Sequence, residues 1–242
     1  MAGLPTGYSS HYGDPIARPT AYPLSRLDPI TPLNPIPKTV LLITNIPTPY
    51  RIPLFNELNR QLSDAGFRLK VVFGAWTYPR RQWEVPKESC HFEYTVLPSS
   101  NPPGSSKSGR FSYAGLASVI GVEKPHIIIT NGFSPATAKL WLRSLYRNTR
   151  YLIWSGAIHR IDKPDSLVAR AYRRLLVKRA SGYIAYGQLA KKYVESLGAD
   201  SSKVEIAINT VDTEYFASHS QNPDQAQKPP VPFRFLCVGQ LE

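Results

Sequence analysis

From Thr39 onward the sequence alternates short apolar runs with longer stretches of helical spacing, and this alternation restricts the fold more than any other feature. Val40-Leu41-Leu42-Ile43-Thr44 is a continuous apolar run of the kind found in strands buried on both faces. Behind it Leu54, Leu58 and Leu62 recur at helical spacing, with Pro53 in the first turn and Gly66 at the end. The pattern then repeats. Strands are predicted at Phe67 to Phe73, Phe92 to Leu97, Ile127 to Thr130, Tyr151 to Trp154, Tyr183 to Ala185 and Val204 to Ile208. Helices are predicted at Phe111 to Val122, Pro135 to Tyr146, Ser166 to Ala180 and Gln188 to Leu197. Strands joined through helices imply right-handed crossovers, so the expected fold class is α/β: a Rossmann-like parallel sheet with helices on both faces.

Pro-rich segments bracket this region. Residues 1–37 carry no helical or strand periodicity and read as a disordered, proline-rich leader. Residues 38–217 form the expected domain. Residues 218–232, with Pro223, Pro229, Pro230 and Pro232, read as a linker. Residues 233–242 read as one more strand, the expected start of a second, C-terminal domain that the sequence does not continue. The 242 residues suffice for one sizeable core and not for two ordinary domains. Cys90 and Cys237 form neither a metal-type spacing nor a disulfide framework, and a reducing, cytoplasmic setting is the simplest expectation. No apolar run reaches the about 18–20 residues of a membrane-spanning helix. The formal net charge of +12 attracts anions of several kinds without selecting one.

Ligands of such sheets bind beyond the carboxyl ends of the strands. That edge is expected to hold Asn45 to Arg51, Gly74 to Arg81, Asn131 to Ser134, Ser155 to Arg160, Tyr186-Gly187 and Asn209 to Asp212. These loops contain amides, aromatics, a histidine and arginines. They lack clustered carboxylates or a Cys-His set, so no protein-bound metal is expected. The first loop has Pro47 and Pro49 where a dinucleotide fold has G-x-G-x-x-G, and prolines offer no N–H to a phosphate. A Walker-type loop is absent as well. Asn131 and Gly132 fit a turn requirement as well as a ligand contact, and Asn209 and Asp212 fit a cap for a helix starting at Thr213. Trp76, Tyr78, Arg80, Arg81 and Trp83 interleave rings and cations, suited either to stacking on bases or sugar faces or to packing on their own domain.

Thr44 to Phe55, the stretch TNIPTPYRIPLF, resembles the first strand-loop-helix of family 4 glycosyltransferases, which have the GT-B fold of two Rossmann-like domains. Tyr183 to Phe216 is similar to a later part of the same family, with Ile208 in place of the usual proline before Asn209-Thr210-Val211-Asp212. Phe233 to Gly239 looks like the strand that opens the C-terminal domain. The resemblance covers roughly residues 38–242. It implies transfer of a sugar from a nucleotide-sugar donor to a saccharide or lipid-linked acceptor, with retained configuration. This domain would hold the acceptor and bind no cofactor of its own, while the donor would belong to the C-terminal domain. Tyr50 and Arg51, with Asn131 and Gly132, are the implied acceptor-binding residues, and His159 the implied catalytic one. The helix carrying Arg170, Arg173, Arg174 and Lys178 is expected to turn a basic face outward, with Leu167, Ala171, Leu175 and Leu176 on the other side. That face is either solvated or docked on an anionic membrane, placing the protein at its inner surface. The alternative to an enzyme is a free-standing basic module docking on anionic membrane or nucleic acid. No nucleic-acid motif is present, and a nucleic-acid partner is not expected.

Overall fold

The protein is described from a computed structural model, which covers residues 37–77, 85–98, 111–159 and 166–220. They lie in the second of two compact units, Pro37–Glu242. The elements follow in the order β1 Lys38–Thr44, α1 Ile52–Asp64, β2 Phe67–Phe73, β3 Glu93–Val96, α2 Leu116–Glu123, β4 Ile127–Asn131, α3 Pro135–Ser144, β5 Tyr151–Ser155, α4 Leu167–Val177, β6 Gly182–Ala185, α5 Gln188–Ser196, β7 Val204–Ile206 and α6 Thr213–Ser220. The strands form one sheet in the order β3-β2-β1-β4-β5-β6-β7, and every pairing is parallel. The chain steps outward from β1 to β3, returns past β1 to β4, and then steps outward on the other side. The reversal leaves a switch point between β1 and β4.

Right-handed crossovers in opposite directions put their helices on opposite faces. One face of β1 and β2, with Leu42, Val71 and Phe73, packs against Ile52 and Phe55 of α1. The opposite face, with Leu41, Ile43, Ile128 and Ile153, packs against α2, α3, α4 and α5. Two buried strand tyrosines anchor α4: Tyr151 donates to the Leu176 carbonyl at 2.8 Å and Tyr183 to the Val177 carbonyl at 2.7 Å. These bonds use carbonyls that a helix end leaves unpaired. Burial pushes the Tyr183 phenol up to about 12.

Two helices depart from the sequence expectation. The one predicted from Phe111 starts only at Leu116, because Tyr113 (φ 51°) and Gly115 (φ 80°) are left-handed. Tyr113 is instead buried, with its hydroxyl donating to Asn45 Oδ1 at 2.6 Å. The second departure is α4, which keeps Leu176 inside and Arg174 and Lys178 outside as expected, but turns other expected inner residues outward and one arginine inward. Leu167, Ala171 and Leu175 face outward, while Leu176 and Val177 are buried. Arg173 turns inward, lying 5.4 Å from the centre of the Phe133 ring and 5.7 Å from that of Tyr193, with a bond to the Tyr193 hydroxyl. Rings that accept a cation let an arginine take the inner position that apolar periodicity had given to leucine.

Candidate functional site

The site begins with what ends β1. Pro47 and Pro49 deny the backbone further sheet pairing, and the Arg51 N–H closes a short turn on the Thr48 carbonyl at 2.8 Å. That turn, Pro49–Arg51, folds the Arg51 side chain back over the sheet edge instead of into solvent. Arg51 is only 8% exposed. Its Nη1 donates to Thr44 Oγ1 at 3.2 Å and its Nη2 to the Tyr186 hydroxyl at 2.6 Å. The guanidinium carbon lies 5.2 Å from the centre of the Trp154 ring and 5.7 Å from that of Tyr50. Among the described residues no carboxylate pairs with it, so the ring faces and two hydroxyls stabilise a buried cation. Among the described residues, Arg51 Nε and Trp154 Nε1 are buried donors without a partner. Burial raises the Tyr186 phenol, a shift opposed by the cation beside it.

Glycine 156 makes this arrangement fit. A Cβ there would meet Tyr186 Cδ2 at 2.5 Å, so only a glycine after β5 lets the tyrosine ring lie across the loop. Trp154 and Tyr186 meet at 5.8 Å and 72°. Asn131 ends β4 in register beside Trp154. Gly132 is left-handed at φ 59°, its N–H donates to the Trp154 carbonyl at 2.8 Å, and its carbonyl accepts from Thr137 Oγ1 at 2.6 Å. Those bonds give Gly132 a turn role. Ser134 caps α3.

Around this centre the other expected residues separate. Tyr50 is 37% exposed and, with Pro49, Pro53, Asn56, His91 and Asp212, lines a cavity of about 360 Å³. His159 is exposed on the loop after β5 and borders a different cavity, about 310 Å³, with Arg170, Lys192 and Tyr193. Arg174 and Lys178 are exposed and Arg170 is half-buried. Trp76 packs on its own domain, against Phe73 at 5.8 Å and Tyr94 at 5.4 Å, while Tyr78, Arg80, Arg81 and Trp83 lie outside the described residues. So does the strand expected at 233–242. A larger hollow, about 610 Å³, opens near Gly66, Arg68 and Glu93, at the amino ends of β2 and β3 and away from this edge. Among the described residues no group of three or more His, Cys, Asp or Glu could hold a metal.

Sequence reasoning missed Trp154 and Thr44 as members of the site. Both close apolar strand runs and read as core. Their one distinguishing signal is position, each standing at the carboxyl end of its strand next to a loop already under suspicion.

A seven-stranded parallel sheet with this order, and with its polar and aromatic cluster beyond the carboxyl ends at the switch point, is the Rossmann-like half of a GT-B fold. A family model described as Glycosyltransferase Family 4 matches residues 55–215, well over half of the sequence. The chain belongs to that family. Among solved structures it is similar to the UDP-GlcNAc 2-epimerase from Neisseria meningitidis bound to UDP-GlcNAc, at 16% identity and a TM-score of 0.54, covering 78% of this chain and 52% of that one. It is similar also to a glycosyltransferase from Rickettsia africae ESF-5, at 15% identity and a TM-score of 0.50, covering 78% and 47%. Alr3699/HepE of Anabaena, solved with UDP-glucose, matches at 16% identity and a TM-score of 0.50, covering 78% and 49%. The chain spans about half the length of these neighbours. No curated protein matches it in sequence.

Proposed function

We propose that this chain is the acceptor-side half of a glycosyltransferase, moving a sugar from a nucleotide-sugar donor to a saccharide or lipid-linked acceptor with retained configuration. The observation that carries the reading is Arg51, a buried cation laid across the switch-point edge in a member of Glycosyltransferase Family 4. In such a reaction the bond from the anomeric carbon to the donor diphosphate breaks as the acceptor hydroxyl oxygen bonds to that carbon, and the hydroxyl proton passes to the departing diphosphate. The departing diphosphate gains negative charge, and stabilising it is a large part of catalysis. Pro47 and Pro49 make the loop after β1 a poor phosphate cradle, which supports assigning the donor to a second domain facing this edge. Tyr50 presents an exposed ring beside an apolar cavity, suited to stacking on one face of an acceptor sugar. Arg51 and Asn131 supply donors to acceptor oxygens, and His159 contacts the transferred sugar from the loop after β5.

The test is an assembled two-domain enzyme, with the UDP-glucose that the Anabaena neighbour holds as the first donor tried. Tyr50→Ala and Arg51→Ala are each expected to lower transfer to acceptor by about 10- to 100-fold, with donor hydrolysis changed about 3-fold at most. Equal loss of both activities would reduce the pair to scaffolding. The 242-residue chain alone is expected to turn over no nucleotide sugar, and turnover by it would overturn the two-domain reading.

A further inference from the structure

A buried guanidinium without a carboxylate beside it is costly, because ring faces and hydroxyls stabilise its charge without cancelling it. Arg51 is 8% exposed and Trp154 7%, and among the described residues neither Arg51 Nε nor Trp154 Nε1 has a hydrogen-bond partner. Thr48 Oγ1, in the loop after β1, is a third buried polar atom left without one, while a fourth, Arg143 Nε, lies apart on α3. Nε and Nη2 share one side of the Arg51 guanidinium, the side that a carboxylate or phosphate grips through two parallel bonds. On that side Nη2 has the neutral Tyr186 hydroxyl at 2.6 Å and Nε has nothing, while Nη1 is taken by Thr44 Oγ1. The indole lies against the same guanidinium, its ring centre 5.2 Å from the guanidinium carbon, so a second unused N–H belongs to the same cluster. A water answers a single donor and leaves the charge as it was. An oxyanion answers the donors and the charge together.

We propose that the Nε side of Arg51 is a site for the carboxylate or phosphate of an acidic sugar, so that the acceptor of this domain is an anionic saccharide. The inference rests on the reading of this domain as the acceptor-side half. The oxyanion accepts from Arg51 Nε and Nη2, competing with the Tyr186 hydroxyl for Nη2, and has a further lone pair for Trp154 Nε1. Neither unused N–H is open to solvent, so binding requires the Arg51 side chain to move off the Tyr186 hydroxyl toward the anion. Tyr50 stands beside the same guanidinium, at 5.7 Å from its ring centre, and is 37% exposed. A charged substituent and the sugar ring that bears it are thereby met by neighbouring residues, Arg51 and Tyr50. The donor diphosphate is the poorer occupant, because a pyrophosphate is held by converging backbone N–H groups and Pro47 and Pro49 withhold theirs.

The experiment is an NMR titration of the full chain, labelled with nitrogen-15, with glucuronate, glucose 6-phosphate and glucose. It follows the Arg51 Nε–H and Trp154 Nε1–H resonances, which Arg51→Lys and Trp154→Phe identify by removing them. Both resonances are expected to shift and saturate with glucuronate, glucose 6-phosphate or both, at an affinity about tenfold or more above that for glucose. Whichever of the two acids acts tells a carboxylate from a phosphate. Arg51→Lys keeps the charge and loses the two-bond grip, and is expected to weaken binding about tenfold. Tyr186→Phe removes the competitor for Nη2 and is expected to tighten binding about threefold, an effect that a purely structural Arg51 would not give. Equal affinity for glucose overturns the proposal while leaving the acceptor-side reading in place. The same shifts from UDP-glucose at lower concentration hand the site to the donor, and an equal response to sodium sulfate makes it a site for an adventitious ion only; either result overturns the proposal. So does unchanged affinity in Arg51→Lys. Failure of transfer in the assembled enzyme leaves these binding results as they stand, so the two failures read apart.

Discussion

At the scale of single residues, Tyr186 does the most with the least sequence signal. Its hydroxyl accepts from Arg51, its ring lies against Trp154, and it fits only because residue 156 has no side chain. Tyr186→Phe removes the acceptor from a buried charged donor, and a loss of about 1.5–3 kcal/mol in unfolding free energy is expected. Gly156→Ala forces the ring away, with an expected loss of about 1–3 kcal/mol. Both act through the same Arg51 contact, so the double variant should cost clearly less than the two singles added. Urea unfolding of the four proteins measures this, and simple additivity would mean that Gly156 and Tyr186 act separately. The sequence placed Arg51, Asn131 and Tyr186-Gly187 at one sheet edge because each follows an apolar run. It could not show that Arg51 folds inward, since an arginine after a helix-start proline reads as a surface residue. Nor could it separate Tyr50 and His159, which follow different strands on one edge yet border different cavities.

At the scale of elements, β2 was read with the bounds the structure gives, because its apolar run is bordered by clear breakers. Strand order was not legible: a run such as Ile127 to Thr130 says that it is buried, not which strands flank it. The partial departure of α4 from that expectation has a definite cause. Periodicity locates an apolar face but assumes that it points inward, and here the rings of Phe133 and Tyr193 accept an arginine there instead. Away from the candidate site, Arg68 on β2 joins Glu93 of β3 and, at 2.6 Å, Glu123 of α2. The Arg68 guanidinium holds the Glu93 carboxyl below its ordinary range, outweighing partial burial, which raises it. A carboxyl lowered by folding adds stability that is fully present above its unfolded pKa and is lost as pH falls through the folded one. Unfolding midpoints should therefore drop as pH goes below the usual carboxylate range, and Glu93→Gln should flatten part of that slope. The pair is half-exposed, so the expected share is about 1 kcal/mol at most. Glu57, lowered to about 2 beside Arg60, titrates in the same direction and leaves a residual slope. An unchanged slope in Glu93→Gln would show that the contact does not persist in solution.

At the scale of the whole molecule, the two-sided covering of the sheet sets where stability concentrates. β1 is central, with Leu41, Leu42 and Ile43 at 0–1% exposure, and β4 lies beside it. β7 is an edge strand whose Glu205 and Ile206 are exposed. Native-state hydrogen exchange should find the slowest amides in Leu41 to Ile43 and Ile128 to Thr130, and faster exchange at Val204 to Ile206. Equal protection of β7 would move the most stable unit away from the switch point. Arg51 has a mechanical consequence for this sheet. One guanidinium grips Thr44 at the end of β1 and Tyr186 just past β6, with β4 and β5 lying between, so it works as a strut along the rim. A rim braced in this way resists splaying of the two strand sets. A ligand that takes Arg51 away from Tyr186 would release the brace, and its arrival would be felt as slack between β1 and β6 before any atom moves in the helices behind them.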